Sequence, residues 1–139
     1  MAHTTSHTKH TIAYEGNNLD LVERVRQGIK YRDFMLIANA TQFTLPEWSR
    51  FLHLSARTMQ RYQKEKKAFP APQSEKILEI EQLNNKGIEV FKDKDNFNSW
   101  LETKNIALGG VKPKELLDTS FGVSMVKDEL TRIEYGVLA

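Results

Sequence analysis

Two groups of residues in this chain have side chains and spacings that suggest chemistry. The first is His3, His7 and His10, which would share one face if their segment were helical. Imidazoles on a common face can ligate zinc, but only where the scaffold fixes them. The second is Ser55, Arg57, Gln60 and Arg61, followed by Lys64, Lys66 and Lys67. An arginine offers paired donors to guanine, and glutamine matches adenine. Lysines set near a nucleic-acid backbone supply affinity that weakens with salt. From Arg50 to Lys67 the local charge is +5, and from Asp118 to the end it is −2, against +2 for all 139 residues. A basic middle and a mildly acidic end suggest two surfaces with different partners, or ordinary solvated charge.

Enzymatic chemistry finds little support. With no cysteine there is no disulfide, thiolate metal site or cysteine nucleophile. No glycine-rich phosphate loop and no His-Glu zinc motif is present. The remaining carboxylates are scattered along helical patterns, as expected of solvated faces. The chain reads as a non-enzyme with no catalytic residues, no cofactor and no metal site.

The elements that must position the second group are helices. Thr44, Leu45, Pro46 and Glu47 supply a capping side chain, an early proline and a glutamate at capping-box spacing. Ser55 caps the next helix. Residues 45–64 therefore fit a helix-turn-helix. Trp48, Leu52, Leu54, Met59 and Tyr62 fall where two short crossed helices pack, and Ser49 is small where they approach. Ser55, Arg57, Gln60 and Arg61 are left outward on the second helix. The turn commonly holds glycine because its φ is often positive; here it is His53, which tolerates that region better than a β-branched residue does. The alternative is a plain helical corner with a basic face.

The rest of the pattern is also helical. Residues 1–16 are polar, without a convincing period, and read as a mobile tail rather than a metal site. Asn18 can cap a helix with Leu19, Val22, Val25 and Ile29 inward, turning near Gly28. Phe34, Ile37 and Ala38 continue an apolar face. Phe69, Pro70, Ala71 and Pro72 end the first region. Residues 73–92 form a long helix with Ile77, Ile80, Leu83, Val90 and Phe91 inward. Asp95 begins a short helix with Phe97, Trp100 and Leu101. Gly109 and Gly110 permit a tight turn, and Pro113 opens a helix with Leu116 and Leu117. Asp118, Thr119 and Ser120 can satisfy backbone groups, and Gly122 allows another backbone close. Val123, Val126, Leu130 and Ile133 form the inward stripe of the last helix, which Gly136 ends. No strand pattern or repeat is evident, so the fold class is all-α. No apolar run approaches the roughly 20 residues that span a bilayer, no signal peptide is evident, and the expected setting is cytoplasmic, without membrane contact.

With both halves in view, the chain resembles the Xre-type antitoxins of RES–Xre toxin–antitoxin pairs, the MbcA/ParS/Xre group. The matching residues are Leu54, Ser55, Ala56, Arg57, Thr58, Met59, Gln60 and Arg61, then Ser74, Glu75, Trp100 and Leu101. In the C-terminal part they are Leu108, Gly109, Gly110, Pro113, Leu116, Leu117, Asp118, Thr119 and Gly122, then Arg132, Ile133, Glu134, Tyr135, Gly136 and Val137. The resemblance runs from about residue 22 to the end.

After the tail read at 1–16, the resemblance implies an Xre/Cro-like helix-turn-helix domain at 17–72, which dimerises and represses its own operon by binding operator DNA. A long helix joins it to a small helical toxin-binding domain at 73–139. The partner it implies is a RES-domain toxin that acts on NAD, whose active site the antitoxin blocks. Within that frame Arg132, Glu134, Tyr135, Val137, Leu138 and Ala139 are the expected toxin contacts, because the inward stripe of the last helix does not need them. A stand-alone transcriptional regulator, with the C-terminal part serving dimerisation, is the competing reading.

Overall fold

The computed structural model describes residues 18–136. Among them are seven α-helices, two short 3-10 turns and no strand. The helices are α1 (Asn18–Gln27), α2 (Tyr31–Asn39), α3 (Leu45–Leu52), α4 (Ala56–Glu65), α5 (Ala71–Phe91), α6 (Lys94–Leu101) and α7 (Ser120–Gly136). Between α6 and α7 lie the 3-10 turns Ile106–Leu108 and Pro113–Leu116.

α1 departs from its sequence pattern. It stops at Gln27, because Gly28 turns the chain at φ +86°. Ile29 is buried, but beyond the helix rather than on it. Its N–H donates to Ser74 Oγ at 2.8 Å, and its carbonyl accepts from Phe69 N–H at 2.8 Å. A Cβ on Gly28 would lie 2.6 Å from the Phe69 carbonyl oxygen, so this crossing requires glycine. Leu21 and Val25 lean on the core, whereas Leu19 and Val22 are exposed. Val25 is inward as its pattern indicates, and the residue that shares its face is Leu21, four earlier, rather than Leu19 or Val22.

The core of the first half is aromatic. Phe34 meets Trp48 and Phe69 edge-on, each at 5.2 Å between ring centres. α3 starts as its sequence predicts: Thr44 Oγ1 accepts from Glu47 N–H while a Glu47 carboxylate oxygen accepts from Thr44 N–H at 2.9 Å. His53 ends the helix at φ 56°, ψ 37°. Ser49 Oγ donates to the Leu54 carbonyl across the turn, which brings α3 and α4 together. Trp48, Leu52, Met59 and Tyr62 are buried there and Leu54 half-buried.

The stretch from Phe69 to Pro72 leads straight into the next helix. Phe69 belongs to the core, Pro70 is the N-cap of α5 and Pro72 lies in its first turn, where a missing N–H costs nothing. α5 begins two residues earlier than its pattern indicated and is the central element. Ser74, Ile77, Leu78, Ile80, Leu83, Asn84 and Gly87 are all buried along it, because helices from both halves pack on several of its faces. One continuous core results, running from Ile29 to Leu130.

The C-terminal part is closed by two tight fits. Phe97 of α6 packs on Gly87, where an added Cβ would sit 2.1 Å from the ring. Gly122 lets α7 start against the Leu116 carbonyl, which an added Cβ would approach to 1.7 Å. Thr119 Oγ1 accepts from Gly122 N–H at 2.9 Å, satisfying one of the open donors of the first turn of α7. Gly109 and Gly110 both take positive φ in the turn that brings Asn105 back to Val111. Val123, Val126 and Leu130 of α7 are buried and Ile133 is half-buried, so the expected stripe faces α5.

Candidate DNA-reading and partner-binding surfaces

α4 carries the basic surface. Arg57, Gln60, Arg61 and Lys64 fall three and four residues apart and share one exposed face. Lys66 and Lys67 follow at its end, also exposed, with Lys66 in the left-handed conformation at φ 55°. Arg61 and Lys67 stand over the ring of Tyr62, at 5.7 and 5.3 Å from its centre. Tyr62 itself is buried and serves the core. Ser55 is exposed, but its hydroxyl is engaged at the helix start: it accepts from Thr58 N–H and donates to Thr58 Oγ1, both at 3.0 Å.

Arg50 belongs to the same basic run in sequence and departs from it in space. Its guanidinium donates to the carbonyls of Lys114 at 3.1 Å and Glu115 at 3.4 Å, with Asp118 Oδ1 at 3.8 Å. His53 Nε2 lies 2.7 Å from the Asp118 carbonyl oxygen. Glu47 and Glu102 both receive Lys114 Nζ, at 2.6 and 2.5 Å. One face of α3 is therefore tied to the chain between α6 and α7. Burial acts to raise the Glu47 carboxyl, but hydrogen bonds from Lys114 and Thr44 outweigh it and hold the group below its ordinary value. Burial opposes charge on Lys114 as well, and its two carboxylate partners raise it above the ordinary ammonium value.

A second polar cluster joins α5 to the start of α7. Lys76 is buried, 3.5 Å from the Leu117 carbonyl and 3.9 Å from Glu79. Glu79 accepts from Ser120 Oγ at 3.4 Å. Burial lowers the Lys76 ammonium and raises the Glu79 carboxyl, each toward its neutral form.

At the far end of α7 the three described toxin-contact candidates differ. Arg132 forks onto Glu129, with Nε at 2.9 Å from one carboxylate oxygen, and this partner raises the guanidinium further. Its side chain stays 63% exposed while that of Glu129 is buried. Glu134 lies 3.7 Å from Lys86 of α5. Tyr135 is 67% exposed. Val137, Leu138 and Ala139 lie outside the described residues, as do His3, His7 and His10. Sequence reasoning passed over three large apolar side chains in the same half, Ile106, Phe121 and Met125, which are exposed. Phe121 and Met125 are four residues apart, a spacing that could have singled them out. Among the described residues no group of three histidines, cysteines or carboxylates could hold a metal ion, and no helix is long and apolar enough to cross a membrane.

Two family models match the two halves. One, described as the antitoxin Xre-like helix-turn-helix domain, covers residues 20–80. The other, described as the antitoxin Xre/MbcA/ParS C-terminal toxin-binding domain, covers residues 86–136. A relative named Antitoxin Xre, from Photorhabdus laumondii subsp. laumondii, is 28% identical over 104 residues, which are 74% of this chain and 70% of that protein. The exposed recognition-type helix lies within the first matched segment, and the helix that ends in Arg132 and Tyr135 lies within the second. The chain belongs to the Xre/MbcA/ParS antitoxin family, a family of antitoxins and not of enzymes, with a helix-turn-helix domain followed by a toxin-binding domain.

Proposed function

We propose that this chain neutralises a RES-domain toxin that consumes NAD, by occupying the toxin's active site with the C-terminal end of α7 and the residues after it. The observation that carries this reading is the division of labour along α7. Val123, Val126 and Leu130 bind the helix to its own core, while Arg132 and Tyr135 remain exposed at the end from which Val137, Leu138 and Ala139 continue. The same chain, as a homodimer in the cytoplasm, binds operator DNA through Arg57, Gln60 and Arg61, with Lys64, Lys66 and Lys67 on phosphates, and represses its own operon. Ser55 contributes through its cap on α4. The proposed division is a helix-turn-helix unit at 17–72 and an antitoxin unit at 73–139.

The test is copurification with the cognate toxin, followed by an NAD-depletion assay with and without this chain. The expected result is a stable complex in which NAD is spared. A deletion of α7 would be a poor probe, since it removes Val123, Val126 and Leu130 from the core. A chain ending at Thr131 keeps those three residues and removes every proposed contact. It should fold and fail to protect NAD; full protection by it rejects the blocking role.

A further inference from the structure

α7 has two stripes, not one. At 100° per residue, Phe121, Met125, Asp128, Arg132 and Tyr135 all fall within about 40° of a single line along the helix. Val123, Val126 and Leu130 lie on the opposite side and are buried. All five residues of the outer stripe are exposed. Phe121 is 87% and Met125 44% exposed, although a phenylalanine and a methionine four apart normally mark a buried face. The stripe is about 21 Å long. It has an apolar pair at its start, one acid and one base in the middle, and an aromatic hydroxyl at its end. That arrangement suits a helix laid in a partner's groove, read through anchors at i, i+4 and i+14.

We infer that the whole outer stripe of α7, from Phe121 to Tyr135, docks in an apolar groove of the toxin, and that Phe121 and Met125 are its principal anchors. The inference rests on the proposed toxin-binding function and extends it. The occupant is the toxin for two reasons. α7 is the longest helix lying wholly within the segment matched as a toxin-binding domain. The stripe is also continuous with Arg132 and Tyr135, the contacts already proposed at its end. Nucleic acid does not fit, because the stripe carries a single cation beside Asp128, and the cationic face is on α4. Docking along the stripe would fix the angle at which the chain end enters the toxin, and would bury two large apolar side chains that water now covers.

The experiment uses the full chain and purified cognate RES-domain toxin. Affinity is measured for wild type, Phe121→Ala, Met125→Ala, Tyr135→Ala and a control, Leu36→Ala, an exposed leucine on α2. Phe121→Ala is expected to weaken binding at least about tenfold, with Leu36→Ala unchanged. Thermal unfolding of each variant alone shows that the fold is retained. As a readout without substitution, peroxide oxidation of Met125 in the wild-type chain should slow when toxin saturates it. If Phe121→Ala and Met125→Ala bind like wild type and Met125 oxidises at the free rate in the complex, the stripe is not the docking face, while the blocking function stands. If wild type itself fails to bind the toxin, both readings fall. If Phe121→Ala instead dissociates a dimer of the free chain and leaves toxin affinity intact, the stripe joins two copies and this inference is overturned.

Discussion

His53 Nε2 sits 2.7 Å from the carbonyl oxygen of Asp118, a residue 65 positions further along the chain. The contact joins the turn of the helix-turn-helix to the segment that launches α7. Arg50 and Glu47 reach the same segment from successive turns of α3, so the first helix of the helix-turn-helix also serves as a strut for the toxin-binding half. A histidine in the turn thus has a role that a glycine there could not fill.

The dual role of His53 predicts different outcomes for two substitutions. His53→Ala keeps an L residue at φ 56° and removes the bond to Asp118, which should cost about 1 kcal/mol. His53→Gly loses the same bond but relieves the left-handed conformation, worth about 1 kcal/mol, and should be close to neutral. Urea denaturation of both variants distinguishes them. Equal destabilisation would mean that the left-handed conformation costs nothing at this position, and a neutral His53→Ala would mean that the bond contributes nothing.

The Lys114 bridge predicts a stability maximum with two edges. Glu47 is held below its ordinary 4.5, so its contribution is complete above that pH and disappears as pH falls through the lower folded value. Lys114 is held above its ordinary 10.5, so its contribution is complete below that pH and is lost as pH rises through the higher folded value. Glu47→Gln should flatten the acid edge by about 1 kcal/mol and shrink the alkaline limb to the part that Glu102 supports. Thermal midpoints between pH 3 and 7, a range chosen to bracket about 4.5, supply the measurement.

Gly122→Ala should be among the most damaging single-methyl changes in the protein. The new Cβ would meet the Leu116 carbonyl oxygen at 1.7 Å, and a backbone oxygen cannot swing aside as a side chain can. A loss of about 3 kcal/mol is expected. Hydrogen exchange should place the loosening in α7 and the Pro113–Leu116 turn, with α2 to α4 less affected.

On the proposed DNA face, Arg57→Ala and Lys66→Ala should separate by kind. Arg57→Ala is expected to cost about 1–3 kcal/mol on the preferred site and to relax discrimination at one base pair. Lys66→Ala should weaken all sequences alike and reduce the slope of log affinity against log salt by about 1. Titrations on specific and scrambled duplex at three salt concentrations show whether the two effects divide in this way.

The local devices could be read from the chain because each depends on a few neighbouring residues. Thr44 with Glu47, Ser55, Gly28 and Thr119 with Gly122 all act within one turn of backbone. The inward stripe of α7 was legible by period, as were Trp48, Met59 and Tyr62. The start of α5 was placed two residues late, because prolines that look like a stop also suit a helix start. Arg50 looked like one more surface cation, since nothing local reveals carbonyls that lie 64 and 65 residues away. The outer stripe of α7 went unseen for a different reason. Once Val123, Val126 and Leu130 had explained the helix as core, Phe121 and Met125 carried no further demand, and exposure is a property that only the fold can assign.

α5 has a practical meaning for anyone recombining such proteins. Both signatures press on this one rod, and the gap between them, at residues 81–85, falls in its middle. Modules that separate cleanly as text are therefore fused as matter. A chimera spliced at that gap would join two half-rods whose flanks were shaped for different neighbours, and it would hold only if the graft brought the entire rod with it.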